Sequence, residues 1–394
     1  MKYKKDQKFR EFVVGAIIIT ITTTAGYLIA PIEVRYLGSL TTNTTLIGLT
    51  YAIGSILFAF LSLYLGRLSD RLGRNRFIVI GTALGIIYPL MYASVLNIYQ
   101  YMGVKFIAVF AAVSTGPIFS AYLQDLLKHV KKQGQYMGTV YAAMSILGAG
   151  AQFLGGFLTS KYGFAIPYVV MSLFFVLATI LSLFELRYKK APIIYKEKSK
   201  DILFGIKYIF RKPELVFYFI NNASFGLNWG IKAMLWPLII YSFTKSDTMT
   251  GSVFATMGIV AFLFMIPVGK MVDKVGSFRA YFVSGLILAS SGLMLGFADG
   301  IGLFWIGAAI FAIGEAINGP AQAVLLTRFV ETEHRGEIMG VDAIFDRTLN
   351  TISPFLAGML LSVVSAQNIL LVFVLSFWAS VIASAYIYKF KVIK

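Results

Sequence analysis

The stretch "GRLSDRLGRNR", residues 66–76, sets four arginines and an aspartate between two long apolar runs. Two hundred and three positions later "GKMVDKVGSFR", residues 269–279, repeats its frame. Gly66, Asp70, Gly73 and Arg76 fall on Gly269, Asp273, Gly276 and Arg279. At the same shift Gly48 falls on Gly251 and Gly116-Pro117 on Gly319-Pro320. A shift of 202 brings "QGQYMG" (133–138) onto "RGEIMG" (335–340) and Gly156 onto Gly358. A register held over separate landmarks marks a duplicated chain.

Composition says what was duplicated. The 394 residues are 58% hydrophobic and 13% charged, with a mean hydropathy of +0.77. Soluble domains carry about 25% charge, so the chain is read as a membrane protein. A spanning helix needs roughly 20 mostly apolar residues. Twelve runs qualify, near 12–34, 45–65, 77–97, 101–124, 138–159 and 165–186, then 214–242, 250–269, 279–299, 301–327, 338–362 and 367–388. The first run is too long for a signal-peptide core and has no cleavage-like flank, so it is read as a span. The expected fold is an all-α membrane protein of two six-helix bundles, 1–186 and 214–394, joined by a basic linker, 187–213.

Lysine and arginine set the expected orientation. With the N-terminus placed inside, the segments on that side hold 29 of the 35 basic residues and the opposite side holds four. The positive-inside rule puts both termini in the cytoplasm. The net charge of +17 then reflects topology and attraction to anionic lipid headgroups, with no nucleic-acid partner implied. Zero cysteines exclude disulfides and thiol chemistry, and both histidines, His129 and His334, lie in polar loops. No metal site, no cofactor and no Ser/His/Asp catalytic set is expected. The chain also lacks the GxxxxGK[ST] phosphate loop of an ATP motor.

The loop at 66–76 resembles the signature of the major facilitator superfamily, G-x-L-a-D-R-x-G-R-[RK]. Gly66, Leu68, Asp70, Arg71, Gly73 and Arg74 match, and Asn75 stands where a basic residue is common. The resemblance implies a secondary transporter in which this loop, with Asp125 as partner of its arginines and Gly269, Asp273 and Gly276 as its second copy, latches the two halves on the cytoplasmic side. It is similar to the drug/proton antiporters in particular, with degenerate motifs. Ala112 stands where their fourth span carries arginine, and Gly138, Gly155 and Gly156 are kept while Leu147, Ala151 and Gln152 replace other motif positions.

Polar groups inside spans are functional candidates because each costs at least roughly 2.5–3.5 kcal/mol unless paired or hydrated. The first half offers Gln152 and the threonines of "TITTTAGY" (20–27). The tenth span places Glu315, Asn318 and Gln322 on one helix face, and the eleventh places Asp342, Asp346 and Asn350 on another, beside Arg347. A carboxylate cluster of Glu315 and Asp346, tuned by Arg347, is expected to exchange protons. The seventh span adds Asn221, Asn222, Asn228 and Lys232, and Lys232 is expected to meet Glu33 as an outer gate. The function expected is proton-coupled efflux of a small organic solute by alternating access, by a monomer in the cell membrane. Two other readings are a carrier of small organic anions held by Lys232 and Arg347, and a non-transporting sensor or scaffold.

Overall fold

The computed structural model describes the backbone of residues 2–127, 133–186, 202–331 and 334–392, without the side chains of 2–8, 133–135, 202–205 and scattered later positions. His129 and most of the expected linker, 187–201, lie outside the described residues, and so do the side chains of Gly269 and Asp273.

Among the described residues there are fifteen helices and no strand. The first span is split into α1 (Lys2–Tyr27) and α2 (Glu33–Leu40); α3 (Thr44–Leu72) and α4 (Arg74–Ser94) follow. The fourth is split into α5 (Ile98–Thr115) and α6 (Pro117–Leu127), and α7 (Gln133–Tyr162) and α8 (Ala165–Glu185) complete the first set. A short α9 (Ile202–Phe210) precedes α10 (Pro213–Thr244), α11 (Asp247–Val275), α12 (Ser277–Gly296), α13 (Ile301–Phe329), α14 (Arg335–Leu360) and α15 (Ala366–Val392).

Among the described residues, ten helical stretches are both long and apolar enough to cross a bilayer, with α5 and α6 counted as one. The helices of the two remaining expected spans, α10 and α14, have 32 and 26 residues. They are long enough but diluted by the asparagines, aspartates, lysine and arginine noted above. The polarity that weakens their membrane signal is therefore the polarity that carries the candidate chemistry.

Local sequence explains the breaks. Pro117 has no N–H to give its preceding turn, and α5 ends with the Gly116 N–H bonded to the Ala112 carbonyl at 2.9 Å. The equivalent Gly319-Pro320 stays inside an unbroken α13. Between α3 and α4, Gly73 takes φ +95°, and between α11 and α12, Gly276 takes φ +89°. Side chains rarely adopt this region, so the motif glycine is demanded by the turn in both copies. Gly66 differs: a Cβ there would meet nothing within 4 Å.

The chain divides into two compact units. One holds Met1–Thr42, Ile56–Tyr195 and Ser246–Ala255; the other holds Asn43–Ser55, Lys196–Lys245 and Thr256–Lys394. The first has an apolar core that includes Phe12, Ile18, Phe119 and Leu123; the second has one that includes Leu215, Tyr218, Tyr281 and Leu325. Each unit also contains one glycine crossing. In the first, Gly156 of α7 abuts Gly251 and the Asp247 carbonyl; in the second, Gly48 abuts Gly358 and the Pro354 carbonyl. The internal repeat relates the two crossings, since Gly48 corresponds to Gly251 and Gly156 to Gly358. Small residues at such points let backbones touch, which membrane helices need because lipid supplies no hydrophobic drive between them.

Candidate functional site

In the second unit, α10 is the organising helix. Its residues advance about 100° each, so neighbouring polar groups reach different partners. Asn221 donates to Ser380 and Ser384 of α15 at 2.7 and 2.9 Å. Asn222, next in sequence, donates to Asp342 Oδ1 of α14 at 2.7 Å and accepts from Gln322 Nε2 of α13 at 2.8 Å. Asn228 turns back to α15, donating to the Ser376 hydroxyl at 2.8 Å. Lys232 reaches α13, where its ammonium lies 2.6 Å from Glu315 Oε1.

The Lys232–Glu315 pair is the most concentrated chemistry in this unit. Both side chains are largely buried. The ammonium lies 4.1 Å from the ring centre of Trp229, 5.8 Å from Trp236 and 5.4 Å from Phe311. Desolvating two charges is expensive, and the pair holds only because each charge answers the other and the ring faces add cation–π attraction. Asn318, one turn from Glu315, donates weakly to Ser284 at 3.4 Å and leaves its buried Oδ1 unpaired.

These contacts revise the expected cluster. Glu315 does not bond Asp346; its partner is Lys232, because their helices, α13 and α10, pack together at that level. Asp346 accepts from Asn350 Nδ2 at 3.1 Å within α14 and lies against Gly226 of α10. Arg347, the next residue in sequence, is exposed. Asn228 shares a helix face with Lys232 in projection but serves α15. Gln152 is half-buried on α7, and its backbone carbonyl abuts Gly251.

In the first unit, Arg74 ties the signature loop together. Its guanidinium lies 2.9 Å from both Asp70 Oδ1 and Asp125 Oδ2. Asp125 is thus the arginine partner the motif implied. Arg71 is exposed.

Glu33 is paired inside its own unit, as Lys232 is inside the other. The Lys105 ammonium lies 2.6 Å from Glu33 Oε1, and the Tyr101 hydroxyl donates to the same oxygen at 2.8 Å. Sequence reasoning missed Lys105, Tyr101, Tyr92 and Tyr168. A signal existed: Tyr88 and Tyr92, and Tyr101 and Lys105, are each one helical turn apart. Arg35, 3.3 Å from Asp247, was likewise not foreseen.

A family profile described as Major Facilitator Superfamily matches residues 13–230 and again 218–391. The chain belongs to the Major Facilitator Superfamily. Within this superfamily it is 27% identical over 386 residues to an uncharacterized MFS-type transporter of Methanocaldococcus jannaschii, covering 95% of this chain and 93% of the relative. It is 24% identical over 352 residues to Multidrug resistance protein 2 of Bacillus subtilis, with 84% of each chain covered. The multi-drug resistance efflux pump PmrA of Streptococcus pneumoniae is 26% identical over 268 residues, covering 63% of this chain and 65% of the pump. Among solved structures, the nucleoside transporter NupG superposes with a TM-score of 0.78 at 15% identity, covering 96% of this chain and 99% of NupG. These likenesses establish a multi-pass transporter of the cell membrane with the superfamily fold.

Proposed function

We propose that this superfamily member is a secondary active transporter that exports a small organic solute by alternating access, coupled to proton entry. The buried Lys232–Glu315 pair carries the reading. A carboxylate whose counter-charge is a flexible lysine has two ways to be neutral inside the membrane: it can keep the lysine or take a proton. Protonation of Glu315 would free the ammonium, and the freed ammonium would rearrange among Trp229, Trp236 and Phe311. Those three rings give an apolar solute a surface to lie on and tie its presence to the charge state of the pair. Asp342 and Asp346 supply two further carboxylates on α14, one turn apart. The similarity to a multi-drug resistance efflux pump favours export. The anion-carrier reading is weaker, because Lys232 already answers Glu315.

The test is transport in proteoliposomes with an imposed pH gradient and ethidium as probe, preceded by a thermal-shift screen for better ligands at pH 5.5 and 8. The parent protein should drive uphill flux. Glu315→Gln should lose it while still exchanging probe across the membrane. If Glu315→Gln retains full gradient-driven flux, the pair is a structural brace and the coupling proposal fails.

A further inference from the structure

The first unit contains a cavity that this mechanism does not use. Backbone from Leu28 to Ile32 is irregular, closed by short turns such as Leu28 N–H to the Ala25 carbonyl and Ile32 N–H to the Ile29 carbonyl. In a bilayer such backbone is tolerated only where protein or a cavity receives it. On one side the Leu28 carbonyl presses on Gly155 of α7, where a Cβ would collide. On the other side the break, through Gly26, Ile29, Ala30 and Glu33, lines a cavity of about 270 Å³.

The remaining wall is unusual in composition. Lys105 stands beside Glu33, and Tyr88, Tyr92, Tyr101 and Tyr168 close around them. The Tyr92 and Tyr101 rings stack at 4.1 Å, and the Lys105 ammonium lies 5.3 Å from the Tyr101 ring centre. A carboxylate, a phenol donating to it and ring faces beside it together recognise an ammonium, and the lysine is the ammonium now seated there. Tyr92 itself is only 4% exposed.

The repeat shows why the space is open. At a shift of 203, Lys232 and Glu315 correspond to Ile29 and Ala112, and both of these line the cavity. Where the second unit fills this position with an ion pair, the first leaves short aliphatic side chains. Its own ion pair sits further along the helices.

We propose that this cavity is a binding site for a small aromatic amine, with Lys105 as its tethered competitor. The ligand's ammonium takes the place of Lys105 on Glu33, and its ring lies among the tyrosines. An engineered cavity of about 150 Å³ holds benzene, so the available volume suits one ring and a short amine chain.

Calorimetry on the purified full-length protein at pH 7.5, with phenethylamine as probe, tests this. Phenethylamine should bind, while phenethyl alcohol and phenylacetate, which keep the ring and lose the cation, should not. If Lys105 leaves Glu33 only about a tenth of the time, removing it by Lys105→Met tightens binding about tenfold. Glu33→Gln should abolish binding. Ala112→Phe should do the same by filling the cavity with the ion pair intact, which covers the case in which the Glu33 variant fails to fold. The proposal is overturned if phenylacetate binds as well as the amine, if Lys105→Met shows no tighter binding than the parent, or if Ala112→Phe leaves the affinity unchanged.

Discussion

Replacing Lys232 by methionine tests the energetic core of the second unit. The side chain keeps its length and its packing against Trp229 and Trp236, and only the ammonium is lost. Glu315 then sits largely buried with its one ion-pair partner gone. Breaking a buried pair from one side costs about 3–5 kcal/mol, because the surviving charge is left uncompensated. The ring contacts at 4.1, 5.4 and 5.8 Å add cation–π loss of about 1–2 kcal/mol. Taking the lower figure of about 3 kcal/mol, a cooperative unit of 150–250 residues should lose roughly 6–12 °C in its unfolding midpoint. Glu315→Leu should cost a similar amount by stranding the lysine. The double variant Lys232→Met/Glu315→Leu replaces the pair by apolar groups, and such replacements range from neutral to stabilising. It should therefore recover most of the lost stability and retain no gradient-driven transport. Thermal unfolding followed by tryptophan fluorescence is the assay, since two of the four tryptophans flank the pair. The reasoning is refuted if either single variant melts within a degree or two of the parent. It is equally refuted if the double variant is destabilised by the sum of the two singles.

Other outcomes follow from the geometry. Gly73→Ala and Gly276→Ala should each cost about 1–3 kcal/mol in thermal unfolding because of their positive φ, whereas Gly66→Ala, inside α3 and facing open space, should raise stability by about 0.5–1 kcal/mol. Asp70→Asn removes an exposed ion pair worth about 0–1 kcal/mol, so transport should fall with little change in melting if the loop acts as a latch; unchanged transport counts against that role. Asn222→Leu should cost about 1–3 kcal/mol by leaving Asp342 and Gln322 without their shared partner, and equal stability of the variant would show that the chain from α13 through α10 to α14 is incidental. Reporter fusions after residues 40 and 245 should read as outside and those after 130 and 200 as inside; one reversed sign overturns the topology expected from the lysine and arginine bias.

The sequence by itself determined the architecture, because the constraints that set it are local and one-dimensional. Bilayer thickness fixes span length, basic residues bias the ends, and duplication leaves a constant shift that can be read by counting. The turn at Gly73 and Gly276 was legible for the same reason: a positive φ is a property of one residue. Partner choice within the spans was not legible. Glu33, Lys105, Lys232 and Glu315 could all be recognised as charges within or beside spans, but which carboxylate meets which lysine depends on how helices are packed and rotated. A change of one residue turns a side chain by about 100°, as Asn221 and Asn222 show by bonding different helices. The break between α1 and α2 had a local cause in Pro31, yet the cavity it lines exists only because α4, α5 and α8 bring four tyrosines to it. Tertiary structure decided where the charges are paired and where space was left.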